Sequence, residues 1–111
     1  MYQEEADSTF THWGKVYNLN WFLSRAQDEL PKKSVEVRRI AHWVTGQELD
    51  PDRVSRADVK TPILVTKDRR VGLVILDGTH RTARALELHL TTLPARFIPD
   101  SWFDDPKGWA K

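Results

Sequence analysis

The sequence predicts a small mixed α+β domain, and three observations lead to this fold class. Runs of β-branched and aliphatic residues at 63–67 and 71–76 have the length and composition of strands. Apolar residues spaced three and four apart at 20–30 and 80–90 are typical of amphipathic helices. These segments alternate along 111 residues, enough for one core without metals or disulfides. We therefore expect one domain, residues 1–111, with a small mixed sheet and flanking helices.

Composition narrows the class of protein. Hydrophobic residues make up 40% of the chain and charged residues 30%, which is typical of a globular protein. The absence of cysteine excludes thiol catalysis, disulfides and thiolate metal sites. The acidic start lacks the segments of a signal peptide, and no apolar run approaches the roughly 18 residues of a membrane span. We expect a cytoplasmic protein with no membrane partner.

The N-terminal third is expected to contain an arm, an extended segment and a helix. Residues 1–14 show no sustained hydrophobic period and are assigned to an irregular arm. Residues 16–19 form either a short strand or an extended lead-in. Asn20 offers an N-cap to a helix that ends before Pro31.

The middle of the chain predicts a strand and a short helix. Residues 35–38 alternate apolar and charged side chains, as a half-buried strand does. Residues 39–44 fit either a continuation of the strand or a helical turn, and Gly46 closes the segment in both cases. Asp50 before Pro51 indicates the N-cap and first position of a short helix.

The C-terminal half predicts a hairpin, a helix and a last strand. A polar turn at 68–70 joins the two strand-like runs, and Gly72 marks a bulge or bend. The helix follows at about 80–90, and a strand bounded by prolines at 93–99. The tail, 100–111, is expected to be a surface segment pinned by its aromatic side chains, Trp102, Phe103 and Trp109.

The junction between the return strand and the following helix concentrates polar chemistry. A strand that leads into a helix N-terminus leaves backbone N–H groups unpaired, and these groups bind anions. Gly78 allows a ligand to approach the backbone closely and can adopt a positive φ. Thr79 adds a hydroxyl. Asp77 as an ordinary helix cap beside a solvated helix face is an equally simple interpretation of these residues.

Three further side chains fit a phosphate at this turn. Arg81 can form a bidentate contact with a phosphate, and Arg84 follows one turn later. His80 can donate to a phosphate or transfer a proton near neutral pH. The residues expected to bind a phosphate ligand are Gly78, Thr79, His80, Arg81 and Arg84.

Residues 35–99 resemble the ParB/sulfiredoxin superfamily. The similarity rests on a strand at 62–65, a turn at 77–81 that reads Asp-Gly-Thr-His-Arg, an alanine-containing helix and a strand entered through Leu93-Pro94. The resemblance implies a stand-alone domain that binds nucleotide phosphates at the turn.

Residue by residue, the resemblance assigns roles at the turn. Gly78 and Arg81 match the family's turn glycine and phosphate-binding arginine, while His80 and Asp77 match its histidine and preceding acid. Thr79 stands where sulfiredoxins carry a cysteine, so their reductase chemistry is not available. His89 stands where the family often ends its helix with glycine.

The leading hypothesis is a nucleotide- or phosphate-binding domain. It implies a nucleoside triphosphate with Mg²⁺ as the ligand, with Asp77 and His80 as catalytic acid–base residues for phosphate hydrolysis or transfer. The first alternative is a non-catalytic DNA- or protein-binding accessory protein of a phage or mobile element, and the second is a metal-dependent nuclease. The sequence leaves the nucleotide, catalysis and oligomeric state open.

A net charge of +1 gives no bulk argument for nucleic-acid binding, so DNA contact would need a local basic patch. A solvated hairpin tip is the alternative interpretation of the basic residues near the hairpin. The candidate patch comprises Lys67, Arg69, Arg70, Arg81 and Arg84.

Overall fold

The computed structural model describes residues 8–110. Its strands are β1 (Thr9–His12), β2 (Lys15–Asn18), β3 (Lys33–Glu36), β4 (Ile63–Asp68), β5 (Gly72–Asp77) and β6 (Thr92–Phe97). Its α-helices are α1 (Leu19–Glu29), α2 (Pro51–Ser55) and α3 (Thr79–Glu87). Short 3₁₀ turns follow β3 at Val37–Arg39 and Ala41–Trp43 and follow β6 at Asp100–Asp104 and Pro106–Gly108. Within residues 8–110, no helix has the length and apolar character needed to cross a bilayer.

Four strands form a sheet in the order β3-β6-β4-β5. The β4–β5 hairpin and the β3–β6 pair are antiparallel, whereas β4 and β6 run parallel. Strands β1 and β2 pair with each other as a separate antiparallel hairpin. The predicted mixed α+β class is therefore confirmed.

The central strand β4 joins two hydrophobic clusters. Successive side chains of a strand point to opposite faces of its sheet. Ile63 and Val65 accordingly belong to the cluster that includes Ala85 of α3, while Leu64 belongs to the cluster around Phe22 of α1. All of these side chains are buried. Helix α3 is thus held against one face of the most buried strand.

The predicted irregular arm is wrong for its described part. Residues 1–7 lie outside the described residues, but Thr9–His12 form β1. Phe10 stacks on Tyr17 of β2 with ring centroids 5.3 Å apart. This strand of four residues depends on a cross-strand contact, and so short a segment carries little periodicity of its own.

The N-terminal helix begins two residues before the predicted start. Its N-cap is Asn18, not Asn20, because the Asn18 side chain accepts a hydrogen bond from the Trp21 N–H at 3.2 Å. Of the two alternatives for residues 16–19, the short strand is found, as β2, and the predicted helix end before Pro31 is confirmed. The predicted strand at 35–38 is shifted to Lys33–Glu36, and the segment left open at 39–44 forms 3₁₀ turns.

From Asp50 onward the predicted order of elements is confirmed. The Asp50 carboxylate caps α2 by accepting from the Asp52 N–H at 3.0 Å. The register of the β4–β5 hairpin shifts between Leu64 and Val65, so the bulge is not at Gly72. Gly72 pairs with Asp68 at the tip and has φ of 83°, which fits the bend. In the tail, Trp102 is buried, as expected of an anchoring aromatic side chain.

Candidate anion site at the start of α3

Gly78 makes the turn from β5 into α3. It is the N-cap residue of the helix and has φ of 124°, a conformation that favours glycine. A Cβ at this position would lie 2.6 Å from Cβ of Ile63 on β4. Both the backbone angle and the close approach to β4 therefore require glycine here.

The helix N-terminus begins without a side-chain cap, because Gly78 has no side chain to supply one. The hydroxyl of Thr82 instead donates to the Gly78 carbonyl at 2.9 Å, which fixes the turn from inside the helix. Thr79 and His80 follow in the first turn, where N–H groups have no intrahelical acceptor. The alternative in which Asp77 caps α3 is wrong, since its carboxylate accepts from Arg81.

Arg81 is engaged by the protein at both ends of its guanidinium group. Nη2 donates to Asp77 Oδ2 at 2.8 Å, and Nη1 donates to the Pro62 carbonyl at 2.7 Å and the Thr61 carbonyl at 3.3 Å. Its side chain is 18% exposed. Arg81 therefore fastens the end of β5 and the start of α3 to the chain that enters β4.

His80 lies toward the short helix α2. Partial burial lowers its pKa below the ordinary 6.5; the charge of Arg53 lowers the pKa further, and Asp50 opposes both effects. At neutral pH the imidazole is therefore neutral. It can both donate and accept a hydrogen bond in this state.

Arg84 forms its ion pair with a residue further along α3 and not with the turn. Its Nη1 donates to Glu87 Oε1 at 3.1 Å along the surface of α3. The five predicted binding residues therefore separate into three groups. Gly78, Thr79 and His80 form the turn and the start of α3, Arg81 supports the turn, and Arg84 pairs further along the helix. Over residues 8–110, no group of three or more histidine or acidic side chains could hold a metal ion.

The five-residue basic patch does not form as one surface. Asp68 pairs with Gly72 at the tip of the β4–β5 hairpin, whereas Leu64 pairs with Asp77 at the other end. Arg69 therefore lies about 15 Å or more from the start of α3, given the rise of a strand. The basic residues at the hairpin tip therefore form a surface separate from Arg81 and Arg84.

Arg53 is the residue at this site that the sequence did not reveal. Its own helix was predicted, because Asp50 and Pro51 mark the start of α2. Its proximity to His80 depends on the packing of α2 against α3, and no motif links two positions so far apart in the chain.

Comparison with known proteins gives no family for this chain. No protein-family model matches the sequence, and no curated protein matches it. The similarity to the ParB/sulfiredoxin superfamily stays a prediction that depends on the turn at 77–81 and the order of elements around it.

Proposed function

We propose that the start of α3 binds a phosphate group, and that the ligand class is a nucleotide. The observation that carries this proposal is the helix start at Gly78, which has no side-chain cap. N–H groups at a helix N-terminus point outward, and the helix dipole favours negative charge there. The Thr79 hydroxyl adds a further donor in the first turn.

The charges around the turn support an anion. His80 is neutral before binding and can donate to a phosphate oxygen, while Arg53 contributes a positive charge on the side of α2. Binding of an anion would raise the pKa of His80, since a negative charge favours the protonated imidazole. Proton uptake on binding is therefore part of the proposal.

Arg81 has a positioning role in this proposal. Its guanidinium group already donates to Asp77 and to the Pro62 carbonyl. It therefore holds the turn in place and does not offer a bidentate contact to the ligand. The ion pair with Arg81 also engages the Asp77 carboxylate, which would otherwise be available as a base. We therefore propose binding and not catalysis. Phosphate hydrolysis or transfer by Asp77 and His80, with Mg²⁺ brought by the nucleotide, stays a prediction.

The test is a titration with inorganic phosphate, ATP, CTP and GTP, each with and without Mg²⁺, followed by calorimetry and amide chemical shifts. We expect the largest shifts at the amides of Thr79 and His80. Arg53→Glu should weaken binding about fivefold or more, the scale of one charge interaction near a surface. Arg56→Glu, which makes the same charge change at the C-terminal end of α2, is the matched control. Equal effects of the two variants, or no shift at the first turn of α3, would overturn the proposal.

A further inference from the structure

The tips of the two hairpins meet at a surface distant from α3. Trp13 Nε1 of the β1–β2 turn donates to Asp68 Oδ2 beside the β4–β5 turn at 2.5 Å. The guanidinium carbon of Arg70 lies 4.4 Å from the centroid of the Trp13 ring. A cleft of about 680 Å³ lies between the tips. It adjoins a second cleft of about 420 Å³ beside β3 and the end of β6, and the two clefts share Lys67 and Asp100. We call this surface the tip groove.

Trp13 is held in a conformation that its residue type disfavours. Its φ is 51° and that of Gly14 is 77°, so the two residues form a tight turn with left-handed backbone at both positions. Such turns favour asparagine and glycine, and a left-handed tryptophan costs about 1 kcal/mol. The side chain is 54% exposed, so burial does not explain its presence. The hydrogen bond to Asp68 and the contact with Arg70 hold the ring in place, and more than half of the side chain stays open to a ligand.

Cations predominate along the tip groove. The Asp68 carboxylate accepts from the Arg70 N–H and from Trp13, and these hydrogen bonds help to hold its pKa below the ordinary value. The other acids that line the groove are Asp100 and Asp104. The basic residues that line it are Lys15, Lys33, Lys67, Arg69 and Arg70.

Two exposed tryptophan rings contact cations of the tip groove: Trp13 lines the groove, and Trp109 lies outside its lining. Besides the Trp13 and Arg70 pair, Lys15 Nζ lies 3.4 Å from the centroid of the Trp109 ring, which belongs to the tail. Trp109 is 37% exposed. Each cation covers one face of its ring, so a stacked base needs the face that remains exposed, and the cation next to it is a phosphate-binding group. The ring of Trp13 is also fixed in its plane by the hydrogen bond to Asp68.

We infer that the tip groove binds single-stranded nucleic acid. Bases stack on exposed aromatic rings and phosphates contact the neighbouring cations, which is the combination that proteins use for single strands. A duplex has its bases paired and stacked inside and could not use the face of Trp13. This site is independent of the proposed anion site at α3.

The first experiment measures fluorescence anisotropy of fluorescein-labelled dT15 and rU15, with the 15-base-pair duplex and a poly-glutamate peptide as competitors. Trp13→Asn should weaken single-strand binding about tenfold or more, the scale of one base stacked on an aromatic ring. Asparagine suits the turn, so the melting temperature should stay within about 3 °C of the parent chain. Loss of binding with the fold retained supports the inference. Unchanged affinity, or stronger competition by the duplex or the peptide, overturns it.

The second experiment tests the charges at the tip. Arg69→Glu/Arg70→Glu should weaken binding more than tenfold and reduce the dependence of log affinity on log salt by about one per lost phosphate contact. Arg38→Glu/Arg39→Glu makes the same charge change on the 3₁₀ turn after β3, outside the groove, where the Arg38 side chain is 83% exposed. Equal losses in the two double variants would overturn the inference.

Discussion

Arg81 and Asp77 form an ion pair across the turn that starts α3, with Nη2 of the arginine 2.8 Å from Oδ2 of the aspartate. The other guanidinium nitrogen bonds to the Pro62 carbonyl at 2.7 Å. One side chain thus joins the end of β5, the first turn of α3 and the segment that enters β4. A motif arginine that resembles a ligand-binding group acts here as a clamp within the fold.

Replacing Arg81 should therefore affect stability. Arg81→Ala leaves Asp77 and the Pro62 carbonyl without their donor, and we expect a loss of about 2 kcal/mol in the free energy of unfolding. Arg81→Lys should lose about half as much, since lysine cannot span both acceptors. Urea denaturation measures both changes.

Arg84→Ala is the matched control on the same helix. Its ion pair with Glu87 is more exposed, so the loss should stay below about 0.5 kcal/mol. Equal losses for Arg81→Ala and Arg84→Ala would contradict the clamp.

Gly78→Ala should be among the most damaging single substitutions in the chain. The new methyl group would meet the Ile63 side chain, and φ of 124° is unfavourable for alanine. We expect a loss of about 3 kcal/mol or more, measured by thermal or urea unfolding.

Gly72→Ala separates the two causes. Gly72 has φ of 83°, but a Cβ there meets nothing within 4 Å. Gly72→Ala should lower the free energy of unfolding by about 1 kcal/mol, from backbone strain alone. If the two variants were equally destabilised, the close approach to Ile63 would have no energetic weight.

The sequence predicted most reliably the elements that carry their own boundary residues. Asp50 and Pro51 start α2, and the Asp-Gly break separates β5 from α3, so both junctions could be recognised locally. The strand β1 was missed because its main support is Phe10 stacking on Tyr17. A pattern confined to four residues cannot report a contact made across a hairpin.

The candidate site was predicted as a set of residues but not as an arrangement. The turn at 77–81 was located from its residue types, yet those types do not reveal that Arg81 bonds to Pro62. The proximity of Arg53 to His80 results from the packing of α2 against α3, which only the folded chain defines. The same holds for Trp13, whose exposure and contact with Asp68 depend on two hairpin tips meeting.

Stability should fall as the pH falls through the histidine range. Burial lowers the pKa of His80 below 6.5 and does the same for His12, whose neighbours Asp68 and Asp100 oppose the effect. The unfolded chain then binds protons before the folded chain does, so protonation favours unfolding. The stabilisation is fully present above about pH 7.5 and is lost as the pH passes through the lowered folded values.

Melting temperatures measured from pH 8 to pH 5 test this expectation. His80→Gln/His12→Gln should flatten the dependence over that range, because both depressed groups are removed. An identical pH profile in the double variant would contradict it. Saturating phosphate should shift the NMR titration of His80 to higher pH if the anion site is occupied.

His89 provides a stabilising substitution at the other end of α3. It has φ of 57°, its N–H donates to the Leu86 carbonyl at 3.1 Å, and the Leu90 N–H donates to the Ala85 carbonyl at 2.9 Å. These two bonds form the helix-ending motif in which glycine is favoured. His89→Gly should therefore raise the free energy of unfolding by about 1 kcal/mol, since glycine adopts this backbone without a steric cost. His89→Ala keeps the Cβ while removing the imidazole, so it should bring no such gain. If alanine stabilised the chain as much as glycine in urea denaturation, the gain would come from losing the imidazole and not from relief of the left-handed backbone.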